Sequence, residues 1–156
     1  MNVSCLSIGK TKEAEYVKFI QQYEKKLSHY LSFSYTEFPS LKNANKLNKE
    51  QLKEEEGKFF LSKINSKAFV ILLDEKGKSF SSPEFAQYIN KRTAAGGQEI
   101  VFVIGGAFGF SEEMYNRAND KIALSKMTFT HQMVRVIFLE QLYRGCSILR
   151  GEKYHH

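Results

Sequence analysis

Tryptophan is absent from this chain, and proline and cysteine occur only twice each in 156 residues. The cysteines, Cys5 and Cys146, form no CxxC pair for a metal or a redox couple. Two free thiols, one in an expected strand and one in an expected helix, suit a reducing cytoplasm. Zinc held by scattered Cys and His is disfavoured, and no metal is expected. No apolar run approaches the eighteen or more residues needed to cross a bilayer. The opening MNVSCLSIGK lacks a basic region followed by an apolar stretch, so no signal peptide is expected. There is no internal repeat, no low-complexity segment and no long linker, which points to one domain over 1–156 with no membrane association.

What is present is mildly basic. The net charge is +6, which permits an acidic partner such as nucleic acid without requiring one. Position matters more than the total. From Lys126 onward there are five cations (Lys126, Arg135, Arg144, Arg150, Lys153) against Glu140 and Glu152, with His131, His155 and His156 in the same stretch.

Hydrophobic periodicity alternates along the chain. NVSCLSI (2–8) reads as a buried strand. A helix follows, with Thr11 as its candidate cap and Tyr16, Phe19, Ile20, Tyr23 and Leu27 at helical spacing. FSYTEF (33–38) alternates as a strand and Pro39 ends it. KEQLKEEEGKFFLSKI reads as a helix with an apolar edge at Leu52, Phe59, Phe60 and Ile64 and a solvated charged face. AFVILLD (68–74) is a continuous apolar run, as for a strand buried on both faces. EKGK is expected to turn the chain, and SPEFAQYINKRTA to form a helix with Ser82 as cap and Pro83 first. EIVFVIGG is a buried strand, SEEMYNRAND a helix capped by Ser111, and KIALSK a short strand. HQMVRVIFLEQLYRGCSIL is a long final helix. Strands alternating with helices imply an α/β domain with a mostly parallel sheet and helices on both faces. Ligands of such sheets sit at the carboxyl ends of the strands.

One of those ends reads IGGAFGF. Gly105, Gly106 and Gly109 allow positive φ or close backbone approach. No Gly-Lys-Ser/Thr follows, so this is not a P-loop, and the spacing is not that of a dinucleotide fingerprint. A tight strand-to-helix turn is the plain alternative. Glu112 and Glu113 open the next helix. They suit the helix dipole but would repel a phosphate. The crevice therefore favours a ligand without phosphate, or a cationic one.

FVIGGAFGF, ALSKMTFTHQMVRVIFLEQLYRG and ILRGEKYHH, in that order and with the opening SIGK, resemble the RlmH-type large-subunit ribosomal RNA methyltransferases of the SPOUT superfamily. The resemblance spans the chain and is strongest over 101–156. It implies an α/β knot with a deep C-terminal trefoil, although knots are rare in general. It implies S-adenosylmethionine as methyl donor and a homodimer. The implied target is N3 of a pseudouridine in helix 69 of 23S rRNA, within the assembled 70S ribosome. Motif matching places the cofactor on Leu73, Gly105 and Gly106, and on Leu124, Ser125, Lys126, Met127, Thr128 and Phe129, with the glycines making room for it. Two positions depart from the usual pattern: Thr130 stands where many relatives have proline, and GGAFG where many have GGPEG.

The chemistry-bearing side chains each have a second reading. His131 is a base candidate or a capping and packing residue. Arg135 and Arg144 would hold RNA phosphate or pair with Glu140 or another acid. Asp74 and Glu75 would bind ligand or serve a turn. Tyr154, His155 and His156 are substrate-binding or base candidates, with Tyr154 able to stack on a base, or the stub of a purification tag. The final helix, apolar nearly all round from Met133 to Tyr143, belongs to a monomer core or, favoured here, to a subunit interface. A noncatalytic RNA- or ribosome-binding factor of the same fold is the competing function.

Overall fold

A computed structural model of the chain describes residues 2–153. Five strands form one sheet, and each neighbouring pair is parallel. They are β1 (Asn2–Ile8), β2 (Ser32–Phe38), β3 (Phe69–Ser79), β4 (Ile100–Ile104) and β5 (Asp120–Ala123), in the order β2-β1-β4-β3-β5. The helices are α1 (Ala14–Leu27), α2 (Lys49–Lys63), α3 (Ser82–Ala95), α4 (Glu112–Arg117) and α5 (Met133–Leu149), with one 3-10 turn at Ala44–Lys46.

The continuous apolar runs are continuous because both sheet faces are covered. Along β4, Ile100, Phe102 and Ile104 join Val3, Cys5 and Ile71 under α1, α3 and α5. Val101 and Val103 point the other way, joining Leu6, Val70 and Leu72 under Phe60 of α2 and Met114 of α4. The two-residue period of a strand thus serves two cores. Phe102 and Phe138, with ring centroids 4.8 Å apart, join the sheet to α5.

Three local expectations are corrected. Thr11 does not cap α1. Glu13 stands at that position, and the Thr11 backbone N–H instead donates to Glu37 Oε1 at 3.0 Å. Ser81, not Ser82, caps α3 through a capping box with Glu84. EKGK does not turn the chain: β3 runs on to Ser79, with a register shift against β5 between Leu73 and Lys78. The final helix already has an apolar environment within one chain. It packs against both α1 and α3, and Phe138, Leu139, Leu142 and Cys146 are buried there.

After β5 the chain leaves the sheet edge and crosses to the far side of the site. Gln132 accepts from the Lys12 backbone N–H at 3.0 Å and donates to the Lys10 carbonyl at 3.3 Å. β1 lies three positions from β5 in the sheet, so the 124–132 segment passes over the carboxyl ends of β3 and β4. This crossing is consistent with the knotted fold class expected from the resemblance.

Candidate active site

The carboxyl ends of β3, β4 and β5 open into a cavity of about 780 Å³, within the range of small-molecule sites. β3 contributes Leu73, Asp74, Glu75 and Lys76, and the 104–110 turn forms the centre. Leu124, Met127 to His131 and Val134 form the opposite wall. Glu50 and Lys53 of α2 and Glu112 and Tyr115 of α4 complete it.

The turn after β4 is built for glycine by the protein itself. The Gly109 N–H donates to the Gly106 carbonyl at 3.2 Å, and Gly109 has φ +86°, a left-handed value. A Cβ at Gly105 would lie 3.2 Å from the Phe110 ring, and one at Gly106 would lie 2.7 Å from Glu56 Oε1. Both glycines line the cavity, but the room their missing side chains leave is taken by Phe110 and Glu56. Packing against Phe110 and Glu56 is thus a reason for glycine at both positions that the sequence did not show.

Glu56 escaped the sequence reading because it lies in a run of charges on a helix read as solvated. Burial pushes its carboxyl up to about 7. Gly57 beside it, costly in mid-helix, marks a separate close approach, that of Ser111 and Met114 at α4.

The bulge in β3 sets the acidic wall. Asp74 Oδ1 accepts from the Lys76 N–H at 2.8 Å, and Asp74 Oδ2 accepts from the Tyr115 hydroxyl. Burial, then this hydrogen bond, push the Tyr115 hydroxyl upward, so it stays a neutral donor. Asp74, Glu75, Glu112 and Glu50 outnumber Lys53 and Lys76 around the cavity. Such a wall disfavours phosphate and favours a positively charged ligand.

Arg135 is fully buried and does not reach the cavity. Its Nη1 donates to the Gly9 carbonyl at 2.7 Å, Thr11 Oγ1 at 3.0 Å and Glu37 Oε2 at 3.1 Å. Its Nη2 donates to the Ile8 carbonyl and its Nε to the His131 carbonyl, both at 3.0 Å. A guanidinium committed to the end of β1 cannot hold RNA phosphate, so its site role is corrected to clamping the crossing segment. Burial would raise the Glu37 carboxyl. Hydrogen bonds from the Thr11 hydroxyl and backbone and from Tyr35, with the Arg135 charge, outweigh this and hold it below the usual range. Arg144 pairs with Glu140 at 2.6 Å, one of the two readings left open for it.

His131 lies on the cavity wall. Burial, then the charges of Arg135 and Lys12, hold its imidazole below the ordinary value. It does not cap α5. Gln132 stands at the N-cap position without a side-chain cap, and Thr130, the residue in place of proline, accepts from the Met133 N–H through its Oγ1 at 3.1 Å. Among the expected cofactor residues, Leu73, Gly105, Gly106, Leu124, Met127, Thr128 and Phe129 line the cavity. Ser125 and Lys126 do not. Ser125 Oγ accepts from the Met127 N–H at 2.9 Å. Tyr154, His155 and His156 lie outside the described residues. Among those described, no group of three or more Cys, His, Asp and Glu could hold a metal ion, and no helix is long and apolar enough to cross a membrane.

A family model described as predicted SPOUT methyltransferase matches residues 1–155. The chain is 51% identical over 156 residues to Ribosomal RNA large subunit methyltransferase H of Cytophaga hutchinsonii, covering all of both chains. It is 49% identical to the protein of the same name from Christiangramia forsetii, covering all of this chain and 99% of that one. Among solved structures, a probable methylase family protein from Haemophilus influenzae Rd KW20 matches 99% of this chain and 70% of its own at TM-score 0.53 and 13% identity, a likeness of fold. Full-length identity near one half, on a parallel α/β frame whose strand ends open into an acid-walled cavity, means that the chain belongs to the SPOUT methyltransferase family.

Proposed function

We propose that this methyltransferase takes its methyl group from S-adenosylmethionine and places it on N3 of a pseudouridine in helix 69 of 23S rRNA. It would act as a homodimer on the assembled 70S ribosome, a substrate that locates the work in the cytoplasm. The names of the relatives support a large-subunit rRNA substrate. The donor, the position and the dimer rest on the family resemblance. The observation that carries the reading is the cavity: large enough for an adenosyl ligand, apolar at Leu73, Ile104, Ile122 and Leu124, and acidic at Asp74, Glu75 and Glu112.

The residues present fit S-adenosylmethionine, which when bound supplies an electrophilic methyl on a sulfonium. The apolar strand ends would take the adenosine, and the acids would offset the sulfonium charge. Oriented contact between donor and acceptor accounts for much of the acceleration in such transfers. The acceptor N–H must lose its proton as the N–C bond forms. His131, kept neutral by burial and by neighbouring cations, is on the wall and able to accept that proton. Arg135 holds the main chain at His131 in place through its bond to the His131 carbonyl. Tyr154 and His155 of the tail are the further candidates for contacting the substrate.

The test is transfer of labelled methyl from S-adenosylmethionine to 70S ribosomes, compared with separated large subunits, with the modified nucleotide mapped by mass spectrometry. Methylation of one pseudouridine in 70S particles is expected. Ribosome binding without cofactor affinity or transfer would establish a noncatalytic factor instead.

A further inference from the structure

Two apolar side chains stand in solvent on the rim of the cavity. Phe108, in the glycine turn, is 46% exposed, and Met127, in the crossing segment, is 78% exposed. A cation adjoins the Phe108 side. Lys49 Nζ lies 5.2 Å from the Phe108 ring centroid, while Lys53, one turn further along α2, lines the cavity paired with Glu50 at 2.9 Å. Lys49 opens α2, where the helix dipole favours an acid, so its charge does nothing for the helix it begins. The far wall carries the opposite sign at Asp74, Glu75 and Glu112. A phosphate is therefore favoured beside Lys49 over the far wall, while a neutral base can reach inward.

An exposed ring beside an ammonium group at a cavity mouth is the chemistry that holds an unpaired nucleotide. The ring stacks on a base, which every base permits, and the cation takes the adjoining phosphate. We propose that Phe108 stacks on an unpaired base of the RNA substrate, with Lys49 on the neighbouring phosphate, so that the turn after β4 positions substrate as well as shaping the cavity. This rests on the reading of the chain as an rRNA methyltransferase. It makes Phe108 a substrate-positioning residue with no role in holding the methyl donor.

The test compares Phe108→Leu, Phe108→Ala and Phe108→Trp with the wild type. Ribosome methylation is read as KM and kcat separately, S-adenosylmethionine affinity by calorimetry, and mass by light scattering. Loss of the ring is expected to raise KM for ribosomes about tenfold or more in both the Leu and Ala variants. Cofactor affinity and mass should be unchanged, and Phe108→Trp should behave as wild type. The chain has no tryptophan, so Phe108→Trp also carries the protein's sole indole. Its emission should be quenched by an RNA hairpin with an unpaired loop and not by the same RNA fully paired. An unchanged KM in Phe108→Leu and Phe108→Ala overturns the inference. Cofactor affinity falling in parallel overturns it by assigning the ring to the donor, and loss of mass by assigning it to a subunit contact. If the wild type transfers no methyl to ribosomes, the functional reading fails by itself, and indole quenching then decides this one: quenching by unpaired RNA sustains it, and its absence overturns it.

Discussion

The carboxylate of Glu56 fills the space beside the backbone of Gly106, so that a Cβ there would meet Glu56 Oε1 at 2.7 Å. A side chain on α2 thus sets how closely the turn after β4 can approach. Gly106→Ala should destabilise the protein by about 1–3 kcal/mol through overpacking. Adding Glu56→Ala should recover much of that loss, a coupling that a double-mutant cycle in urea would measure. Additive losses would show that the two positions do not press on one another.

Glu56 also predicts a pH dependence. Its folded-state pKa is raised to about 7 by burial, against an ordinary value near 4.3. The sign follows from linkage: the group's favourable contribution is complete below the ordinary value and is lost as pH rises toward 7. Glu56→Gln, which cannot ionise, should gain stability relative to wild type by about 1–3 kcal/mol at pH 8 and little at pH 4. Thermal unfolding of both proteins across that range checks it. A constant difference would mean that the carboxyl titrates normally.

Arg135 and Glu37 form a pair in which the arginine is fully buried. Arg135→Met should cost about 3–5 kcal/mol, because it strands Glu37 and several carbonyl acceptors. The Glu37 carboxyl is held low, so its contribution is full above the ordinary carboxylate pKa and disappears as pH falls through the lowered value. Glu37→Gln, whose amide cannot replace the charge, should therefore lose most stability relative to wild type near neutral pH, and the gap should shrink as pH falls through the lowered value. Urea unfolding of both proteins across that range checks it, and a gap that does not change with pH would refute it.

The acidic wall should discriminate by charge. Asp74→Asn and Glu112→Gln should weaken S-adenosylmethionine binding severalfold while changing S-adenosylhomocysteine, a neutral thioether, much less. Calorimetry with the two ligands separates a charge effect from a lost contact, which would weaken both alike.

The tail needs a separate experiment, because Tyr154, His155 and His156 lie beyond the described residues. Removing 152–156 should leave cofactor affinity and mass unchanged and greatly reduce methyl transfer to ribosomes. Full transfer by the truncated protein would show that the tail is dispensable.

Local rules determined most of the frame. The runs NVSCLSI, AFVILLD and EIVFVIGG form strands because alternating side chains fill two cores, and their continuity announces burial on both faces. Ser111 caps α4 as its residue type requires, and left-handed φ at Gly109 follows from glycine's lack of a Cβ. The cavity wall at Leu73, Gly105, Gly106, Leu124 and 127–129 was legible through motif order, while Ser125 and Lys126 of the same motif stand outside it.

Tertiary structure alone decided what the charged side chains do. Arg135 looks the same in sequence whether it faces RNA or a strand end. Only the crossing of 124–132 to β1 brings Ile8, Gly9, Thr11 and Glu37 within reach of it. Glu56 resembles its neighbours Glu54 and Glu55, and only the approach of Gly106 separates it from them. EKGK carries turn residues, yet it continues β3 because β5 supplies a partner beyond the bulge. Periodicity is a property of one element and can be read along the chain. A charge's role depends on which distant backbone reaches it, and that is fixed by how the elements cross in space.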